Sequence, residues 1–504
     1  MNIKKISNDV INIFLGIITV ISIIAAVSLL KDQLFSISRT TLLILDICLI
    51  ILTFVFIFKE TFIKFLKSIY KICKNRKALL LISVSLLLMI WQVYLILTIS
   101  GFCYWDPGII MTKAMNKIPW SSMRYFSFYP NTFGMLMLEH GLWLTLGKPG
   151  IRSFTLILNL INVVVLDSSL YILFRVSKKY FNQRIASYAL VTSVLLFGIS
   201  PWICIPYTDV LSFAITIWTI WILLIIHNQK RVSILYSLLT GFLIFLGYMI
   251  KPSLMITTIA FFIVSVVFVK PSKLVVNRII NIIVMMTIFI LMISGLNFAK
   301  FHNGFLNLNR NDEFSLYHFA AMGINGMGGY NQGDVDADAA LTNANSRKQH
   351  DQKLWRDRYR KMGFLGYESF LIRKQTFNSA EGSLGWGKEG NFLTVFKYKK
   401  GKYGKAFSRK LFLNNSGIAE KYNGFYGFIV QLTWIIVLTL ILFSFSSSSF
   451  NVQLIKYSVV GFFTFLLLFE GGRARYIIQF LPLVILLSSI GFDNIMKWII
   501  RRSN

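Results

Sequence analysis

The chain has 504 residues, of which 55% are hydrophobic and 15% aromatic. A water-soluble protein of this size cannot hide so much apolar surface, so the composition excludes a soluble globular protein and implies a polytopic membrane protein. The formal net charge of +31 would suit nucleic acid, but Lys and Arg gather between apolar runs, as the positive-inside rule requires, and nucleic-acid binding is set aside.

Taken in chain order, twelve apolar segments of about 20 residues or somewhat fewer read as membrane spans. They are 8–30, 41–58, 78–100, 152–174, 185–200, 209–227, 232–250, 254–269, 279–298, 425–446, 454–470 and 476–496. The first lacks a small-residue cleavage site and reads as a true span. Orientation follows the basic residues. Lys4 and Lys5 start the chain in the cytoplasm, joined there by the basic loops 59–77 and 175–184, by Lys230/Arg231, Lys270/Lys273/Arg278 and Lys456, and by Lys497, Arg501 and Arg502. That alternation holds along the whole chain.

Residues 131–148 are apolar enough to tempt a further span. Counting them as one would turn the basic 175–184 loop outward, and Glu139, His140 and Gly141 interrupt the run. The segment is therefore expected to be an amphipathic helix at the outer interface, with 59–77 a basic counterpart on the inner face. The organisation is then two N-terminal spans and a basic loop (1–77), a transmembrane core with an outer loop at 101–151 (78–298), a polar extracytoplasmic domain (299–424) and three closing spans (425–504). Cys48, Cys73, Cys103 and Cys204 form neither a CxxC nor a Cys/His cluster. A Cys103–Cys204 bridge on the outer face competes with two free, half-buried thiols, and the free thiols are expected.

Residues with chemical potential cluster on the outer side. Asp106 follows the 78–100 span directly, framed by Tyr104, Trp105 and Pro107. An acid at the membrane–water boundary can activate or align a hydroxyl on a lipid-borne substrate, or hold a metal. It can equally start a helix, with Pro107 at the first helical position, and the two roles are compatible. Arg124, Tyr129 and Asn131 lie in an aromatic run suited to sugar stacking or to an interfacial belt, and Asn131 also suits a helix cap. Tyr207 and Asp209 open the sixth span, with a helix cap as the rival role for Asp209. Lys251 sits in a short outer turn against the charge trend, either gripping a lipid phosphate or snorkelling to headgroups. Glu470, Arg473, Arg475 and Tyr476 form a second short outer turn, and two arginines there suit a phosphate leaving group. In 299–424 the alternate Asp334, Asp336 and Asp338 resemble a calcium loop without its glycine and closing glutamate, so a solvated polar loop is expected. There is no P-loop, GxGxxG or GxSxG.

This layout resembles the GT-C glycosyltransferases. The shared features are an acid soon after a span (Asp106), a pair of interfacial helices, a Lys-bearing outer turn (Lys251), a late outer domain, and Arg-Tyr (Arg475-Tyr476) before the last span. It looks closest to the branch of protein O-mannosyltransferases and aminoarabinose transferases, in a Gram-positive form with a YPN-type motif, here Tyr129-Pro130-Asn131. The resemblance implies a multi-pass cell-membrane enzyme of about twelve helices whose active site faces outward. It would move a sugar, with inversion, from a polyprenyl-phosphate donor to an envelope glycan, teichoic acid or glycolipid acceptor. Asp106 would be the catalytic acid-position residue helped by Asp209, and Lys251, Arg473 and Arg475 would hold the donor phosphate. Mg or Mn would assist, although no ligand cluster demands a metal. The chain departs from the family in two spans added before the one leading to Asp106, and in YPN where better-known members carry Lys-Pro-Pro. Two rivals remain at this point. One is an O-antigen-ligase-like or polymerase-like transferase using Arg310 and His318. The other is a lipid-linked glycan flippase without chemistry, disfavoured by charges gathered at the boundary and by the lack of a repeat. Asp46, inside the second predicted span, fits none of these readings.

Overall fold

Eleven of the twelve predicted spans fall on helices of the computed structural model, which describes residues 3–35, 77–117, 124–229, 232–268, 273–389, 393–396, 406–413 and 425–503. The remaining span, 41–58, lies outside the described residues, as do Asp46, Cys48, Cys73 and nearly all of the basic 59–77 segment. Among the described residues, seven helices are long and apolar enough to cross a membrane, and three shorter apolar helices at 234–250, 252–268 and 426–442 accompany them. The predicted 185–200 span is a helix over Gln183–Ser193 that widens into a π-turn at Val194–Gly198 before Pro201 ends it.

The closing helix forms the axis of the bundle. Its apolar window, within 474–502, is 89% buried, against 67% for 208–228 and 11% for 279–301. Leu166, Phe213, Trp434, Ile455 and Leu486 are all buried around it in one continuous core. The packing is closest where the 481–503 helix crosses the 425–442 helix. A methyl group on Gly491 would sit 1.8 Å from the Leu440 carbonyl oxygen, so the backbones touch as small-residue helix pairs do. Gly491→Leu is expected to cost about 1–3 kcal/mol through forced separation. A lowered melting temperature of the detergent-purified protein would show this, and an unchanged one would refute it.

The two ends of the bundle collect different parts of the chain. At one end the Lys4 ammonium bonds the Phe268 carbonyl, Asn182 and Arg184 bond Asp493, and Asn451 bonds the Tyr180 carbonyl. These are segments that the charge pattern assigns to a single face. At the other end lie the 101–151 loop, the start of the 208–228 helix and the polar 299–413 region. Asn159, two turns into the 151–180 helix, donates to Ser100 at the end of the 77–99 helix. The chain therefore leaves and re-enters the bundle at the same end, and the Phe133–Thr145 helix between them does not cross.

The polar region departs from the solvated loop expected of it. Asp334 and Asp338 stand one turn apart on the Gln332–Ala339 helix and are buried, with Asn331 capping that helix. Arg347, fully buried, bonds Asp312 at 3.1 Å and the Asp338 carbonyl at 2.9 Å. Arg358 grips Asp334 through both nitrogens, at 2.8 and 2.6 Å. Short acidic side chains matched to arginines give this region a polar core in place of an apolar one. A small antiparallel ribbon, Gly101–Cys103 against Leu393–Val395, joins it to the first loop. Among the described residues, the ribbon is a minor β element beside the helices.

Candidate active site

The Asp106–Ala114 helix has Trp105 at its N-cap and no side-chain cap bond, so Asp106 takes the first helical position and Pro107 the second, one place later than an Asp106 cap would put them. Asp106 is half-buried. The Tyr207 hydroxyl donates to its Oδ2 at 3.1 Å, and the Tyr125 phenol lies close enough to feel its charge. Burial first, and then the Asp106 charge, push both phenols well above their ordinary range, so they remain protonated donors. Tyr129 and Tyr330 also lie in the field of Asp106 and Glu470. Tyr207 touches the carboxylate, and Tyr125, Tyr129 and Tyr330, near enough to feel its charge, complete a loose tyrosine cup whose Tyr125 and Tyr129 rings lie 5.2 Å apart. Sequence-based reading does not single out Tyr125 or Tyr330. The aromatic run at 125–129 is the one local signal for the former, and nothing local points to the latter.

Asp209 and Arg475, which the sequence reading gives to catalysis and to phosphate, are turned toward each other. Arg475 Nε lies 3.1 Å from both Asp209 oxygens and its Nη2 lies 2.8 Å from Oδ2. The two are 2% and 3% exposed, so the pair is closed to solvent. The guanidinium also stacks 3.8 Å from the Trp105 ring centroid and lies 5.2 Å from that of Tyr207. Those rings belong to the neighbour and to the hydrogen-bond donor of Asp106. The pair therefore acts on Asp106 by fixing what surrounds it.

The two short turns meet at the same end. Lys251 Nζ lies 4.9 Å over the Tyr476 ring, and the Tyr476 hydroxyl donates to Glu470 Oε1 at 2.9 Å. Arg473 stands 6.0 Å over the Tyr330 ring. Glycine sets the form of the 470–473 turn. Gly472 has φ +67°, and a side chain there would strike the Met327 carbonyl oxygen at 2.3 Å. Its N–H donates to Asn378 at 2.7 Å, and the Gly471 N–H donates to the Gly328 carbonyl at 2.7 Å. Buried Lys374 closes the same junction by donating to the carbonyls of Gly323, Leu467 and Phe469. Burial lowers its pKa to about 7, opposed by Glu470.

The remaining predicted residues lie further out. Arg124 bonds Asp312 at 3.0 Å and stacks on Phe128, tying the first loop to the polar region. Tyr129 packs edge-on against Phe314 at 5.2 Å, whereas Asn131 is exposed in a 3-10 turn and its side chain caps no helix. Arg310 stacks on Phe301 at 4.1 Å, and His318 is buried against Asp338. The rival transferase reading would need that histidine exposed to substrate. Cys103 and Cys204 are free thiols, and both are fully buried where half-burial is expected. The deep core around the ribbon accounts for this, since Cys103 sits on its inward face.

Apolar helices around a buried axis, with polar chemistry gathered at one end, define an integral membrane protein of the polytopic helical class. The chain belongs to the family described as conserved hypothetical integral membrane protein, whose model matches residues 1–496. No curated protein matches it. Among solved structures it is similar to the archaeal oligosaccharyltransferase AglB from Archaeoglobus fulgidus in complex with an inhibitory peptide and a dolichol-phosphate. That match has 12% identity and a TM-score of 0.44, over 85% of this chain and 52% of that one. The apo form of the Archaeoglobus fulgidus oligosaccharyltransferase matches at 14% identity and a TM-score of 0.43, over 84% of this chain and 51% of that one. The chain thus spans about half the length of these structures.

Proposed function

We propose that this protein is a membrane glycosyltransferase of the GT-C type. It takes a sugar from a polyprenyl-phosphate carrier and places it, with inversion, on a hydroxyl of an envelope glycan, teichoic acid or glycolipid at the outer face of the cell membrane. The observation that carries this reading is the Asp106 carboxylate, half-buried and hydrogen-bonded by Tyr207, at the bundle end that also presents Lys251 and Arg473.

In the proposed reaction Asp106 accepts the proton of the acceptor hydroxyl as its oxygen bonds the anomeric carbon. The bond from that carbon to the carrier phosphate breaks, and the electron pair leaves with the phosphate. Negative charge grows on the phosphate in the transition state, so Lys251 and Arg473 contribute most there. Asp209 and Arg475 hold Trp105 and Tyr207 in place, and the tyrosines offer ring faces and hydroxyls to the sugars. Arg124 and Asn131 edge the same loop, toward the acceptor side. A glycosyl phosphate is an activated donor, and Mg or Mn at Asp106 would add a further cation to the phosphate.

Mass spectrometry of carrier lipids and envelope polymers from a deletion strain tests the proposal. The expected result is accumulated sugar-charged carrier with one decoration missing. An unchanged lipid and polymer profile would overturn it. In purified membranes, Arg473→Gln is expected to weaken transfer about 10- to 100-fold, since a hydrogen bond to a charged group contributes about 1.5–3 kcal/mol. Unchanged kinetics would remove Arg473 from the phosphate site.

A further inference from the structure

A second polar centre lies outside the Asp106 cup. His318, Asp338 and Asp351 are each about 1% exposed, and one donor atom from each falls within 4.8 Å of the others. His318 Nδ1 is 2.5 Å from Asp338 Oδ2 and 3.8 Å from Asp351 Oδ1. His350 Nδ1 reaches the other Asp338 oxygen at 2.7 Å, and Ser315 donates to Asp351 Oδ2 at 3.1 Å. The second ring nitrogen of His318, Nε2, is buried with no hydrogen-bond partner among the described residues.

The charge balance of this region points to a missing cation. Four buried acids line it. Asp312 has the guanidiniums of Arg124 and Arg347, and Asp334 has that of Arg358. Among the described residues, the basic side chains paired with Asp338 and Asp351 are imidazoles. Two buried carboxylates in contact cannot both stay ionised without a cation or a shared proton.

We propose that His318, Asp338 and Asp351 bind one divalent transition-metal ion of the zinc or manganese class. One imidazole nitrogen and two carboxylate oxygens form a donor set suited to such ions and poorly suited to calcium, which takes six or more oxygens. Ligands about 2.1 Å from a common ion need only modest rotation from the present spacing. The ion would pin three helices together: Leu316–Met322, Gln332–Ala339 and Ala344–Ser379. Its function would be structural. Phe314 stacks on His318 at 4.2 Å and packs on Tyr129, so the site braces one wall of the tyrosine cup.

The test uses the full-length protein in detergent, stripped with EDTA and then given Mn²⁺ or Zn²⁺. Elemental analysis after desalting is expected to find one ion per chain, with a melting temperature several degrees higher. Asp351→Asn keeps the size of the side chain and its bonding capacity toward Asp338 and Ser315. It is expected to elute as a monodisperse peak and to lose both the ion and the shift. Asp106→Asn is expected to keep both. Wild-type protein that neither retains metal nor gains stability would overturn the proposal, whatever the variants do. Retention of both effects by Asp351→Asn, or their loss in Asp106→Asn, would overturn it too.

Discussion

Asp106→Asn is expected to lower sugar transfer in membranes by about 10²–10⁴-fold, the usual contribution of a positioned general base. The substitution is nearly isosteric. The amide oxygen still accepts from Tyr207, and Pro107 still holds the first turn of the helix, so the protein should reach the membrane in normal amount. What is lost is the ability to take a proton. The effect should therefore fall on kcat, with the apparent KM for carrier lipid little changed. A variant that transfers sugar at the wild-type rate would remove Asp106 from the chemistry. Wild-type membranes that translocate intact lipid-linked glycan without transferring it would support the flippase instead.

The second large effect is expected at the Asp209–Arg475 pair. Removing one partner leaves the other charge buried without compensation, and such losses cost about 3–5 kcal/mol. Asp209→Ala and Arg475→Met should each reduce the yield of folded protein and its melting temperature. The double variant, with both charges gone, should recover part of the loss, because an apolar replacement of a buried pair is often neutral. Arg475→Lys should not substitute for arginine. An ammonium cannot span both carboxylate oxygens and stack its face on Trp105 at the same time. Transfer by Arg475→Lys is then expected to fall more than its stability does, since Trp105 and Tyr207 lose their brace. Single variants as stable as wild type would show that the pair is not desolvated.

Much of this architecture is legible without coordinates, for a local reason. A membrane span announces itself in about twenty consecutive residues, and sidedness in the basic residues beside them. The Lys4–Phe268 and Arg184–Asp493 contacts at one end of the bundle join segments that the charge pattern already assigns to one face. Asp106 is recognisable because its position, next to a span and before Pro107, is itself local. The polar region is harder to read. Alternate aspartates between glycines and asparagines look solvated, whereas Asp334 bonds inward to Arg358 and Asp338 to His350, both supplied by a helix further along the chain.

Composition and order along the chain were enough to establish a helical membrane protein and to place eleven of its twelve predicted spans on helices. Partnership was not readable in this way. Asp209 and Arg475 lie 266 positions apart, and each alone suggests reaction chemistry. Only the folded bundle shows that they neutralise each other and leave Asp106 as the accessible carboxylate between them and the tyrosines. Burial of a charge is acceptable only opposite its complement, and which complement lies opposite depends on how the helices pack.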